Sequence, residues 1–574
     1  MDEPMEKSDK QLHAQHFNLH KMSWKLNILT SRRSLLIHSM EPLPCSIPSS
    51  QNHPPLACTK GSSHYGGEGL VLPKYIVYLG DKVHDSVDVV GSHHDLLSEI
   101  LGRYHSKLPK LQRHSKIIGG QYFRMDKNIP KGEYASPLDF IGHGTHTSST
   151  AAGVNVETNF YGLASGTAHG GVPSARIAMY KVCWGDGTCN DEDTFAAFDA
   201  AIYDGVDIIN LSLGQSPGHH VTDAIAVGSF HAMRYGILTA ASAGNDGPFH
   251  RTVVNYAPWL LTVGASTIDR QFKSDLKLGN GKTYSVSGGC HPQSYEANVT
   301  APTMFAFSSR GPNPVYKSIL KPDLVAPGLD VLAAYPDAQS VTRYPEDDRH
   351  AKYIIQSGTS MAAPHVTAAA AYVKSFHPTW SPAAIKSALI TTAKVMTPGN
   401  TITKDDEYAY GAGQIDPVKA VDPGLVYDAN QQSYLNFLCA KHPDMDAIRV
   451  FAVSKNVDCS KFPAAEGYDA LNYPTFQYIV EDVSKPSVAE FQRYVTNVGS
   501  GPATYQVTVK APEGVQVTVS PSTLSFISPY QKQQFKVTVK TSAVTGDAYA
   551  VSGSLVWSDG VHSVKSPIVV HYAY

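Results

Sequence analysis

The chain has 574 residues, with 47 Lys and Arg against 50 Asp and Glu and a formal net charge of -3. This balance, without long runs of like charge, gives no basic surface for a nucleic-acid partner, and no apolar run is long enough for a membrane span. A hydrophobic content of 42% can bury sizeable cores, and the length implies several domains.

Residues 1–72 are polar, with Ser31-Arg32-Arg33-Ser34 and a Pro/Ser-rich tract from Glu41 to Pro55. They lack the apolar core and small-residue cleavage site of a secretory signal and read as an unstructured leader. The apolar run Tyr75 to Gly80 reads as a strand ending at Asp81, and Ser92 to Leu97 reads as a helix start. After a basic stretch, Arg103 to Lys110, the segment Lys116 to Phe123 opens an alternation of strands and helices that continues to about Asp428. That alternation predicts a doubly wound α/β domain with a mostly parallel sheet. Within it, Ile177 to Tyr180 is a strand, and Asp191 to Asp204 a helix with Phe195, Phe198 and Ile202 on one face and Gly205 as its stop. Val206 to Ile209 is the next strand, Val221 to Tyr235 a second helix, and Gly236 to Thr239 the strand that follows. Residues 429–468 form a connector. From Ala470 onward, strands such as Tyr505 to Val509, Val515 to Val519 and Phe535 to Val539 alternate as in a β-sandwich.

Three constellations carry chemistry. Ser357-Gly358-Thr359-Ser360 followed by Met361-Ala362-Ala363-Pro364-His365 places an exposed serine between a glycine turn and an alanine-rich helix. A serine hydroxyl needs a close base and backbone donors for the oxyanion, and the unpaired N–H groups of a helix start supply some of these donors. A bare Gly-Thr-Ser is as well explained by a helix cap. Gly142-His143-Gly144-Thr145-His146-Thr147, with the small residues Ser148 to Gly153 behind it, puts a histidine at the rim of a cleft on a tightly packed helix. Ala240 to Gly247 ends a strand in a turn where the Asn245 amide can aim at a developing negative charge.

Together these motifs resemble the subtilisin-like serine proteases, peptidase family S8; Phe307 to Asn313 and Lys321 to Gly328 are further marks of that family, and Pro378 to Leu389 is similar to its plant, cucumisin-like branch. The resemblance implies a serine endopeptidase acting on polypeptides without a cofactor or metal, and no acidic calcium loop is apparent. It implies Ser360 as nucleophile, His143 as general base, Asn245 as oxyanion donor and His146 as a structural histidine. Substrate-binding positions are expected at Ser212, Leu213 and Gly214 of the Asn210 to Gly214 strand and at Ala241, Ser242 and Gly244. It further implies disulfides Cys183–Cys189 and Cys439–Cys459, where the residues alone leave buried or free thiols open. None of the cysteines forms a close CxxC cluster with histidines, which argues against zinc. The C-terminal sandwich is expected to be fibronectin type III-like over 470–574, packing without a catalytic part. An extracellular location in apoplast or cell wall follows from the family. The sequon Asn298-Val299-Thr300 is a candidate glycosylation site, whereas Asn210-Leu211-Ser212 reads as a buried strand.

Two family features are not found in the sequence. The aspartate that accepts the histidine's second N–H sits, in the family, on an upstream strand in an Asp-Ser-Gly or Asp-Thr-Gly tripeptide, and neither occurs in this chain. The protease-associated insert is also missing near Gly288-Gly289-Cys290, which leaves Cys290 without a partner. The peptidase domain is therefore expected over 117–428 without its aspartate strand, and 75–102 is expected to be a remnant of the inhibitory propeptide, a possible partner of the domain. A sheet lacking a central strand leaves two neighbours with unpaired backbone groups. Asp139 and Asp81 are the candidate substitutes for the missing acid. Asp139 fits a loop cap better, and Asp81 a propeptide strand. Two functions follow: an active serine endopeptidase, or a catalytically impaired relative with at most peptide-binding ability.

Overall fold

The computed structural model describes residues 76–78 and 116–572, except 215–222, 288–293, 298–300, 343, 345, 397–405, 453–456, 464–465 and 545–549. The leader, Asp81, the helix start at Ser92, Cys290 and Asn298 lie outside these residues.

The first part of the chain runs β1 (Ile76–Tyr78), β2 (Ile117–Tyr122), α1 (His143–Ala152), a hairpin of β3 (Val156–Phe160) and β4 (Leu163–Ala168), and β5 (Arg176–Lys181). It continues through α2 (Asp191–Asp204), β6 (Ile208–Leu211), α3 (Ala224–Arg234), β7 (Leu238–Ser242) and β8 (Leu261–Ser266). A small sheet follows, of β9 (Arg270–Lys277), β10 (Thr283–Ser287) and β11 (Ser294–Ala297). Next come β12 (Leu324–Pro327), a hairpin of β13 (Val331–Ala334) and β14 (Tyr353–Gln356), α4 (Thr359–Phe376) and α5 (Pro382–Thr391).

Seven strands form the main sheet in the order β12-β8-β7-β6-β1-β5-β2. Strands β6, β7 and β8 are buried along their whole length, as expected of parallel strands covered on both faces. Their residues alternate between two cores. Ile177, Ile208 and Leu238 face α1 and α4, while Ala178, Ile209 and Leu211 face α2 and α3. The small residues of α1 pack on alanines of α4, and Gly171 between them has no room for a Cβ, which would lie 2.5 Å from that of Ala368.

The α2 helix spans the expected residues and stops at Gly205 in the left-handed region, φ 70°. Its buried stripe is Thr194, Ala197, Phe198 and Ala201, and Phe195 is exposed, contrary to expectation. At 100° per residue, Phe195 falls beside this stripe. Phe198 sits against Gly228 of α3, where a Cβ would lie 2.2 Å from the ring.

The expected open slot in the sheet is occupied. Strand β1 lies between β5 and β6 and runs antiparallel to both, in register Ile76↔Ala178, Val77↔Ile177, Tyr78↔Arg176 and Val77↔Ile208. Every other pair in this sheet is parallel. The run that resembles a propeptide strand is here a member of the catalytic-type sheet.

Residues 429–468 contain helices Gln431–Lys441 and Met445–Ala452, and the disulfide Cys439–Cys459 is formed. The C-terminal part is a two-sheet sandwich built from β15 (Leu425–Val426), β16 (Phe476–Val480), β17 (Ser487–Asn497), β18 (Ala503–Lys510) and β19 (Val515–Ser520), then β20 (Thr523–Phe526), β21 (Lys532–Thr541), β22 (Ala550–Ser558) and β23 (Ser563–Tyr572). One sheet is β15-β17-β21-β19 and the other β16-β23-β22-β18-β20. Its alternating strands close on a core that includes Phe491, Phe535 and Trp557.

Two buried ion pairs organise the junction. Arg493 is fully buried, with Asp469 accepting from both its terminal nitrogens and the carbonyls of Tyr473, Thr475 and Gln492 accepting as well. Its guanidinium carbon also lies 4.7 Å from the centre of the Phe476 ring and 5.5 Å from that of the Phe491 ring. Lys321 and Asp323, before β12, pair at 2.6 Å in full burial, and the Tyr473 hydroxyl donates to the same Asp323. The sandwich is thereby tied into the α/β core.

Removing one member of a buried pair leaves an uncompensated charge and costs about 3–5 kcal/mol. Asp469→Ala is expected to lower stability by that amount in a urea titration; a loss below about 0.5 kcal/mol, the level of an ordinary surface substitution, would contradict the role given to the pair.

Candidate active site

The carboxyl ends of β6 and β7 and the start of α4 meet at one edge of the sheet, where open α/β sheets bind ligands. Ser360 is the second residue of α4, whose cap is Gly358. Pro364 has no N–H to donate to the carbonyl four residues back, so the helix leaves the Ser360 carbonyl unpaired. The Ser212 hydroxyl fills that gap, donating to the Ser360 carbonyl at 2.9 Å. In return the Ser360 Oγ donates to the Ser212 carbonyl at 3.3 Å. Asn210 joins the same network through Ser212 and Thr367. It is fully buried, as read from the sequence.

Asn245 lies three residues beyond β7, and its amide is held from one end. Its Oδ1 accepts from the Thr359 backbone N–H and from the Thr359 hydroxyl, both at 2.9 Å. The Thr359 Oγ1 in turn accepts from the Gly244 N–H at 3.2 Å. Ser309, in one of the motifs read above, holds this turn by accepting from the Asp246 N–H and donating its own N–H to the Gly244 carbonyl. Gly244 has φ 101°, and a Cβ there would meet Ser309 Oγ at 2.8 Å.

Asn255 bridges the strand ends, its Nδ2 donating to the carbonyls of Leu213 at 2.6 Å and Ser242 at 2.8 Å. Gly214 is exposed and Gly244 half-buried, while Ser212, Leu213, Ala241 and Ser242 are buried in the strand ends. The structure thus brings the expected strand positions together, but four of the six form walls behind the surface.

His143 is the first residue of α1 and, like Ser360, is buried, so neither the exposed serine nor the histidine at a rim is found. The Ser360 hydroxyl is engaged with Ser212 in this arrangement. His146 donates from Nε2 to the carbonyls of Val331 at 2.9 Å and Ile354 at 3.2 Å, tying α1 to the β13–β14 hairpin. Burial pushes its pKa down to about 4, so it is a neutral structural histidine.

Asp139 is a helix cap. One carboxylate oxygen accepts from the N–H groups of Ile141 and Gly142, and the other from the N–H and hydroxyl of Thr145. This carboxylate neutralises the start of α1 and is fully engaged there. Gly142 has φ 93° and its Cβ position lies 2.1 Å from the Tyr335 ring, so only glycine fits at this turn.

Sequence reasoning missed Thr359, Asn255 and Asp330. Asp330 sits between β12 and β13 with φ 52°; its N–H donates to Ser357 Oγ, and that hydroxyl donates to its carboxylate at 3.4 Å. Burial raises its pKa to about 6, against the opposing effects of Ser357 and Arg270. An acid inside the otherwise apolar run Ala326 to Ala334 was the signal for it. Among the described residues no cluster of His, Cys, Asp or Glu could hold a metal ion.

The subtilase family model, peptidase S8, matches residues 88–413, and a fibronectin type-III domain model matches residues 470–570. The chain belongs to the subtilase family. Among curated relatives, this subtilase is 43% identical to subtilisin-like protease SBT4.14 of Arabidopsis thaliana over 566 residues, covering 80% of the chain and 75% of that protein. It is 39% identical to SBT4.15 of the same plant, covering 79% and 76%. The plant, cucumisin-like branch and the fibronectin type III-like domain are thus as expected.

Two predictions follow from this subtilase's site geometry. Ser212→Ala strands the buried Ser360 carbonyl, which costs about 1–3 kcal/mol and is readable as a lower denaturation midpoint; an unchanged midpoint would contradict the exchange of hydrogen bonds. For Asp330 the folded state disfavours the charged form, so stability is fully present below the unfolded value near 4 and is lost as pH rises to about 6. Asp330→Asn is therefore expected to stabilise by up to about 3 kcal/mol at pH 7, with the gain vanishing below pH 4. A gain independent of pH would contradict this.

Proposed function

We propose that this subtilase is a serine endopeptidase of polypeptides that works with Ser360 as nucleophile and His143 as general base. The observation that carries the reading is the anchoring of the Asn245 amide, through its Oδ1, on Thr359, the residue just before Ser360. In this reading Ser360 Oγ leaves the Ser212 carbonyl and attacks the scissile carbonyl, and its proton passes to His143. The oxyanion is held by Asn245 Nδ2 and by the Ser360 N–H in the first turn of α4. Collapse of the tetrahedral intermediate expels the amine with the proton from His143, and water then hydrolyses the acyl-enzyme. Gly214 and Gly244 offer backbone to an extended substrate.

Neither an Asp-Ser-Gly nor an Asp-Thr-Gly tripeptide, where the family carries the acid behind this histidine, occurs in the sequence. Loss of that acid alone costs about 10⁴ in turnover while leaving the nucleophile and oxyanion donors in place. The second reading, a catalytically silent relative, is favoured by the burial of both Ser360 and His143. The disulfides Cys183–Cys189 and Cys439–Cys459 support an oxidising, extracellular location for either reading.

Fluorophosphonate labelling and peptide turnover separate the two. The active reading predicts labelling and peptide turnover that Ser360→Ala abolishes; folded protein that neither labels nor cleaves would overturn it. Asp139→Ala is expected to weaken the α1 cap by about 1 kcal/mol while leaving the labelling rate unchanged, whereas a rate loss of several orders of magnitude at unchanged stability would make Asp139 the acid that supports His143.

A further inference from the structure

We infer that the gap between β5 and β6 is a strand-acceptor slot, that Ile76–Tyr78 is its built-in occupant, and that this segment is a permanent part of the folded protein and not a removable inhibitor.

The slot lies in the middle of the sheet, so leaving it empty would expose two rows of N–H and C=O groups in an otherwise buried layer. β1 covers them with backbone pairing to both neighbours. Its residues Ile, Val and Tyr are strong strand formers, and the apolar run Tyr75 to Leu79 suits a strand covered on both faces.

The orientation of β1 follows from the connection. Tyr78 pairs with Arg176, the first residue of β5, so β1 ends at the amino edge of the sheet. Strand β2 is parallel to β5 on its other side and begins at that same edge. The end of β1 and the start of β2 therefore lie two strand spacings, about 10 Å, apart. A parallel β1 would end at the opposite edge and force the connection along the whole sheet. Filling the slot from within the chain also costs only loop closure, which grows slowly with length, while a second chain would pay the full cost of association. Recognition is strand addition, with main-chain hydrogen bonds supplying the binding.

Paired cysteines in the full chain test the register. Val77→Cys with Ile177→Cys, at partnered positions, is expected to give an intrachain 77–177 disulfide in most molecules by mass spectrometry. No such link in protein whose native Cys183–Cys189 bond is intact would overturn the proposal, as would a link found only between two chains. An engineered protease site within residues 79–115 gives a second readout. After cutting, the amino-terminal fragment is expected to co-elute with the rest through native gel filtration and to part from it only in denaturant; separation under native conditions would overturn the proposal.

Discussion

A strand in the middle of a sheet has two rows of peptide groups to satisfy, and this fold depends on how β5 and β6 meet that requirement. Both are buried strands whose side chains feed the cores on either side of the sheet. An unpaired backbone group there costs free energy comparable to a lost hydrogen bond, so a full gap would consume much of a typical domain's stability of about 5–15 kcal/mol. Three residues from far upstream in the sequence, Ile76–Tyr78, take the position. The strand that restores the sheet, Ile76–Tyr78, itself contains no acid.

The remainder of the site is organised around the start of α4. Pro364 frees the Ser360 carbonyl, Ser212 captures it, and β6 is thereby fixed to the helix that carries the serine. Thr359 does the same for β7 through Asn245 and Gly244. Asn255 then ties the ends of β6 and β7 to each other. These contacts are neutral hydrogen bonds between short side chains and backbone, so they hold the geometry with little conformational freedom and little dependence on salt. The sandwich adds its own constraint through Tyr473 and Asp323, which couples the base of β12 to the C-terminal domain.

Local pattern made much of this readable in advance. Ser360, His143 and Asn245 stand in motifs whose glycine and alanine content requires close helix packing, and α1 and α4 occupy the expected segments. The sandwich strands show a clear period of two, and the expected disulfides Cys183–Cys189 and Cys439–Cys459 are formed. The role of Ile76–Tyr78 was not readable, because an apolar strand suits any vacant sheet position and the vacancy itself is a tertiary fact. Burial of Ser360 and His143 is likewise a tertiary property that their own motifs do not carry. Thr359 and Asn255 act through single hydrogen bonds that no periodicity records, and Phe195 differed from expectation because three apolar residues in a helix need not share the buried arc.

Amide hydrogen exchange on Ile76–Tyr78 tests the central claim most directly. If these residues complete the sheet, their amides exchange about as slowly as those of β7 and β8, near the limit set by global unfolding. Exchange at the rate of an unstructured chain, with β7 and β8 still protected, would contradict the account.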